Sequence, residues 1–186
     1  MTSILITGGA RSGKSTLAQE LGKKAKGQVL FIATAEAGDE EMTRRITAHK
    51  KSRPGDWKTL EIQTQIGNTI LKELGSAKTV IIDDITLLVM NIFTKCGEKA
   101  GADIIDKAVT KEIQELIDCM SRGKASRSPT DFIIVTNEVG LGIIPADIVS
   151  RLYRDLLGRA NRMLAASMDE VYFMVAGIPM VVKGRK

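Results

Sequence analysis

Short aliphatic and β-branched runs recur along the chain: SILIT (3–7), VLFIA (29–33), TVIID (79–83), DFIIVT (131–136) and EVYFMV (170–175). Each is continuous rather than alternating, the pattern of strands buried on both faces. Between them the apolar positions fall at helical spacing. Leu17, Leu21 and Ala25 make one stripe, and Ile105, Val109, Ile113, Leu116 and Met120 a longer one. Strand and helix alternate without internal repeat, which predicts an α/β fold: a mostly parallel sheet covered by helices, with ligands outside the carboxyl ends of the strands. RGKASRSPTD (122–131) reads as an exposed connection to the fourth strand, and the tail KGRK (183–186) as a solvated, frayed end.

Composition narrows the picture. A chain of 186 residues, 44% hydrophobic and 26% charged, is expected to form a single globular domain over residues 1–186. The net charge of +5 suits anionic small molecules, while 4% aromatic residues supply few stacking platforms, so no nucleic-acid partner is expected. Cys96 and Cys119 are too far apart for a C-x-x-C pair, and with one histidine they make a poor zinc set. Met1 leads straight into SILIT without a basic leader, and no apolar run approaches the roughly 18 residues of a membrane span. These features predict a cytoplasmic enzyme.

The most specific local signal is ITGGARSGKST (6–16), in which Gly8-x-x-x-x-Gly13-Lys14-Ser15 fits the Walker A pattern between a predicted strand and a predicted helix. Glycines let backbone N–H groups turn inward around phosphates, and the helix N-terminus adds positive potential. Lys14 then reaches the β and γ oxygens, and Ser15 ligates magnesium. TVIIDD offers Asp83 as a second magnesium ligand, with Asp84 beside it; strand-ending aspartates also serve as caps and turn residues. A switch GTPase would carry N-K-x-D and D-x-x-G motifs, which are lacking, and the chain is compact for a nucleic-acid motor.

Residues 38–54, GDEEMTRRITAHKKSRP, contain the only histidine. Asp39 is placed to cap a helix whose Met42 and Ile46 face inward, with Lys50, Lys51 and Arg53 gathered near its C-terminal end. His49 lies among those cations. Judged alone it reads first as a solvated surface residue, and the reading as a neutral imidazole among cations, a nucleophile toward phosphorus, stays open beside that.

Together these segments resemble one family. ITGGARSGKS, FIATAE, DEEMTRRITAHKKSRP, IIDDIT, VTNEVGLGIIP (135–145), RLYRDLLGRANRMLA (151–165) and DEVYFMVAGIP (169–179) are similar, in order, to the bifunctional adenosylcobinamide kinase/adenosylcobinamide-phosphate guanylyltransferases of cobalamin assembly. The resemblance implies a three-layer, RecA-like P-loop NTPase. It implies phosphorylation of adenosylcobinamide with ATP or GTP, then transfer of GMP from GTP to adenosylcobinamide phosphate through a guanylylated histidine, with Mg2+ as cofactor. By motif the catalytic residues are His49 and Lys14. The nucleotide-contacting positions fall on Gly8, Gly9, Ala10, Arg11, Ser12, Gly13, Lys14 and Ser15, on Ala33, Thr34 and Ala35, on Lys50, Lys51, Ser52 and Arg53, and on Glu61 and Asp83. Ser15 and Asp83 are the metal ligands, and a homotrimer is implied.

Asp84 stands where the family commonly has cysteine, Arg162 where glutamine is common, and Met168 where alanine is usual. Arg162 and residues 137–145 are expected near the corrinoid, although 137–145 also reads as a Gly-rich loop kept flexible for closure. Two rivals stay open: a P-loop kinase of another small alcohol without a covalent nucleotide, and a regulatory module that uses the P-loop as a switch.

Overall fold

The computed structural model describes residues 2–36, 38, 40–97, 100–126 and 128–184, apart from the side chains of residues 42, 45 and 52. In chain order the first elements are β1 (Ser3–Gly8), α1 (Lys14–Lys24), β2 (Val29–Ala33), α2 (Glu40–Ser52), β3 (Lys58–Glu61) and α3 (Ile66–Glu73). They are followed by β4 (Thr79–Asp83), α4 (Ile85–Cys96), α5 (Ala102–Ala125), β5 (Asp131–Val135), α6 (Ile148–Ser167), β6 (Glu170–Val175) and β7 (Ile178–Lys183). The strands form one sheet in the order β3-β2-β4-β5-β1-β6-β7. Every pairing from β3 to β6 is parallel, and β7 closes the edge antiparallel to β6.

Successive side chains of a strand point to opposite faces, and here both faces are apolar. Leu5, Leu30, Ile32, Val80, Ile82, Phe132 and Ile134 join one core with α3, α4, α5 and α6. Ile6, Val29, Phe31, Ile81, Ile133 and Val135 join a second with Ala18 of α1 and Trp57. The expected continuous strand runs follow from this two-sided burial, and all five predicted strands are present. The long stripe predicted on α5 is buried throughout.

The α1 stripe is shifted from expectation. Ala18 and Gly22 are buried, while Leu17 and Leu21 flank the core half-buried and Ala25 caps the helix. A side chain at Gly22 would place its Cβ 2.6 Å from Ile81 Cδ1 and 2.7 Å from Trp57 Cη2, so small residues let α1 sit close on the sheet. Gly67 does the same for α3 against α5, where a Cβ would lie 2.6 Å from the Glu115 carbonyl oxygen. The Gly22 contact holds the helix that begins with Lys14 against β4, the strand that ends in Asp83.

Three expectations need correction. Residues 122–125 of the supposed connection finish α5, because the helical pattern runs on through buried Gly123 to Ala125. The tail is not frayed from its start: Lys183 belongs to β7, and its Nζ donates to the carbonyls of Ala165 (3.0 Å) and Ala166 (3.1 Å). The sheet also gains two strands, β3 and β7. The β6–β7 link is a two-residue turn, Ala176 and Gly177, with both φ positive (50° and 84°), the form that suits a hairpin's twist. Asp39, expected as a helix cap, and the Met42 side chain lie outside the described residues. Among the described residues, no helix is long and apolar enough to cross a membrane.

Candidate active site

A cavity of about 630 Å3 opens at the carboxyl ends of β1, β2 and β4. Its floor is the phosphate loop from Ala10 to Ser15. Gly8 (φ 146°) ends β1 so close to β6 that a Cβ would meet the Met174 carbonyl oxygen at 2.6 Å, and Gly13 (φ 94°) starts α1. Arg11 holds φ 57° between them. Lys14 reaches back across the loop and donates to the Gly9 carbonyl at 2.6 Å. Burial lowers the affinity of its amine for a proton, and Asp84 and Asp83 oppose that.

Ser15 Oγ donates to Asp83 Oδ1 at 3.0 Å. On the other side of that carboxylate, His49 Nδ1 of α2 stands 3.8 Å from Asp83 Oδ2. The sequence separation is large, but β1 and β4 flank β5 and bring the two motifs to the same end of the sheet. Lys50 pairs with Glu61 at the end of β3, and both line the cavity. Arg53 lays its guanidinium over the Phe31 ring, 3.9 Å from the centroid, and Phe31 in turn stacks on Trp57. Arg53 Nε and Nη1 are buried without a hydrogen-bond partner among the described residues. Burial lowers this group's hold on its proton, with Asp83 and Glu61 pulling the other way.

Of the sequence-predicted positions, Ala10 to Ser15, Ala33, Ala35, His49, Lys50, Arg53, Glu61 and Asp83 line the cavity. Thr34 does not: it is fully buried behind it, donating to the Asp84 carbonyl (2.6 Å) and accepting from the Asp84 N–H (2.9 Å). Gly8 and Gly9 shape the loop without lining the cavity, Lys51 is exposed outside it, and the Ser52 side chain lies outside the described residues.

Sequence reasoning named Asp84 beside Asp83 and expected residues 137–145 near the corrinoid, but did not join them with Thr86 and Asn161 into one wall. Asp84 caps α4 through Leu87 N (3.0 Å) and accepts from Asn137 Nδ2 at 3.1 Å. Burial, then the charge of Asp83, pushes its carboxyl up to about 6. Asn137 Nδ2 also donates to Thr86 Oγ1 (3.0 Å), and the Asn137 backbone N–H donates to the same oxygen (2.9 Å). Asn161 on α6 locks this turn, accepting from Thr136 Oγ1 (2.6 Å) and donating to the Asn137 carbonyl (2.9 Å). The legible signal was a run of polar residues, Thr136 and Asn137, immediately after a fully apolar strand end.

The parallel sheet, the glycine loop with its lysine and serine, and the aspartate on a neighbouring strand define a P-loop nucleotide-binding α/β protein. A prototypical type III secretion ATPase of pathogenic bacteria superposes with a TM-score of 0.57 at 16% identity, over 94% of this chain and 51% of that one. The assembled ATPase EscN from enteropathogenic E. coli gives 0.58 at 12%, over 94% and 43%. This chain spans about half or less of those proteins, and the likeness is one of fold. Within that class, residues 4–182 match the family model described as Cobinamide kinase / cobinamide phosphate guanyltransferase, and the chain belongs to that family. It is 40% identical to the bifunctional adenosylcobalamin biosynthesis protein CobU of Salmonella typhimurium, over 97% of this chain and 99% of that one. It is 37% identical to the Escherichia coli protein of the same name, with the same coverage.

Proposed function

We propose that this chain runs both reactions of its family in the one P-loop cavity, and that His49 carries the nucleotide. The enzyme is an adenosylcobinamide kinase and adenosylcobinamide-phosphate guanylyltransferase of cobalamin biosynthesis. The observation supporting a single cavity is the convergence on Asp83, whose two oxygens lie 3.0 Å from Ser15 Oγ and 3.8 Å from His49 Nδ1.

In the kinase step the loop N–H groups and Lys14 hold the β and γ phosphates of ATP or GTP, and the substrate alcohol takes the γ phosphoryl group directly. In the second step His49 Nε2 attacks the α phosphorus of GTP, pyrophosphate leaves, and the cobinamide phosphate then displaces the imidazole from GMP. Asp83 Oδ2, 3.8 Å from Nδ1, faces the ring edge opposite Nε2, so the attacking nitrogen is the one turned away from the carboxylate. Arg53 and Lys50 supply positive charge where it develops on the departing phosphates, and Glu61, tied to Lys50, contacts the nucleoside.

The donor set fits Mg2+. Ser15 and Asp83 offer hard hydroxyl and carboxylate oxygens in direct contact, and Asp84 lines the same cavity beside them. Among the described residues no three His, Cys, Asp or Glu side chains form a metal site of their own. When bound, the ion neutralises charge on the phosphate oxygens. The apolar side chains that β7 leaves exposed, Ile178, Met180, Val181 and Val182, support self-association; that it is a homotrimer rests on the resemblance alone.

The reading is tested by incubation with GTP labelled at the α or the γ phosphate and separation under denaturing conditions. Label retained from α alone, labile in acid and stable in base, is the expected phosphoramidate. Retention from neither position would favour a plain kinase.

A further inference from the structure

The cavity has two chemically opposite walls. The phosphate loop presents donors: backbone N–H groups, Lys14 and the α1 N-terminus. The facing wall, built by the ends of β4 and β5, presents acceptors. Asn137 is the informative member. A carboxylate can only accept, so the side of the Asn137 amide that faces Asp84 Oδ2 at 3.1 Å must be Nδ2. The second hydrogen of Nδ2 goes to Thr86 Oγ1 at 3.0 Å. Both donors are thereby used, and Asn137 Oδ1 is left with no partner among the described residues, on a residue that lines the cavity.

An unpaired amide carbonyl cannot bond a phosphate oxygen, because both are acceptors. Its partner must bring an O–H or N–H. Asp84 directly follows Asp83, which accepts from Ser15 Oγ at 3.0 Å, and Asn137 bonds Asp84, so the wall stands beside the P-loop serine, at the γ-phosphate end of the nucleotide rather than the base end. Asn161 holds the turn rigid through Thr136 Oγ1 and the Asn137 carbonyl, so the acceptor is fixed before substrate arrives.

We propose that Asn137 Oδ1 accepts the hydrogen bond of the substrate hydroxyl that takes the γ phosphoryl group, making Asn137 a catalytic residue of the kinase step alone and Asn161 its positioning residue. This rests on the kinase reading above. The alcohol oxygen forms the new P–O bond, and the β–γ bridge breaks with its electron pair left on the nucleoside diphosphate. The alcohol proton leaves to a phosphate oxygen and then to water; the amide orients it and takes no proton. A largely dissociative transition state asks for such orientation more than for a base. Guanylylation of His49 involves no alcohol and does not need Asn137.

The test is Asn137→Ala, assayed in parallel for phosphorylation of adenosylcobinamide with ATP, for the same reaction with GTP, and for covalent labelling from α-labelled GTP. Kinase kcat/KM is expected to fall by about 100-fold, equally with both donors, as misplacement of a reacting group by about 1 Å does. Labelling is expected to stay within about two-fold of the parent, which also reports a folded, GTP-binding protein. Unchanged kinase turnover overturns the proposal. So does a loss confined to GTP and accompanied by weaker labelling, the result for an acceptor that reads guanine N–H groups. If Asn137→Ala does not fold, Asn137→Ser, which keeps a hydroxyl for Asp84 while withdrawing the carbonyl, takes its place in the three assays: the same kinase loss supports the proposal, and unchanged kinase turnover overturns it. Failure of the parent protein to phosphorylate adenosylcobinamide would instead sink the kinase reading itself.

Discussion

Arg53 carries a cost in the nucleotide-free protein that the bound nucleotide is expected to repay. Two buried guanidinium nitrogens without partners among the described residues cost about 1–3 kcal/mol, and the stack on Phe31 returns about 0.5–2 kcal/mol. Arg53→Met keeps an unbranched stem over the ring, removes the unpaired donors, and substitutes a thioether–aromatic contact of about 0.3–1.5 kcal/mol. The nucleotide-free variant should therefore be more stable than the parent by about 1 kcal/mol. GTP binding should move the other way: losing a charge-assisted hydrogen bond of about 1.5–3 kcal/mol weakens affinity roughly 10- to 100-fold. Urea unfolding without nucleotide measures the first quantity, and titration with a slowly hydrolysed GTP analogue the second. A variant that is less stable and binds GTP normally would show that Arg53 is part of the Phe31–Trp57 stack and nothing more.

Gly67→Ala gains about 1 kcal/mol in helix propensity but drives a Cβ into the α5 backbone and strains the Glu112 bonds to Gln65 N (2.9 Å) and Ile66 N (2.8 Å). A net loss of about 2 kcal/mol is expected in denaturant, with activity intact below the transition; equal or higher stability would mean that α3 slides freely. Asp169 Oδ2 accepts from Ser3 N (2.7 Å), Ser3 Oγ (2.9 Å) and Lys124 Nζ (2.8 Å), and these hold its carboxyl down at about 2. Its folded value is depressed, so its stabilisation is present above pH 4 and lost as the pH falls toward 2. Asp169→Asn should cost about 1 kcal/mol at pH 7, a figure reduced for solvent screening at this half-exposed group, with the gap closing as the pH falls through about 2; a gap independent of pH would assign the effect to packing. Asp83→Asn should raise the Mg2+ concentration needed for half-maximal rate, since an amide oxygen is the weaker ligand for a hard cation, and an unchanged titration would point to Asp84.

What the sequence disclosed depends on whether the signal is local. The phosphate loop is legible because turn glycines, lysine and serine are contiguous, and β1, β2, β4, β5 and β6 are legible because two-sided burial demands unbroken apolar runs. β3 escaped notice because KTLE is short and mostly exposed. β7 did so because its proline argues against a strand interior and its turn uses alanine where asparagine or aspartate would advertise a hairpin. His49 beside Asp83 could be placed only through family motifs, since nothing near either residue encodes their 3.8 Å approach. The Asn137 wall is less legible still: its members come from β4, α4, the turn after β5 and α6, and only the strand order assembles them.

The central claim is that one cavity performs two transfers and that only one of them passes through His49. His49→Ala, incubated with adenosylcobinamide, GTP and Mg2+, measures this directly when covalent label and both corrinoid products are followed together. Loss of the covalent GMP is predicted, with phosphorylated cobinamide accumulating at close to the parent rate and no GDP-linked product formed. Guanylyl transfer persisting in the variant would contradict the account, since the chain holds no second histidine to take its place.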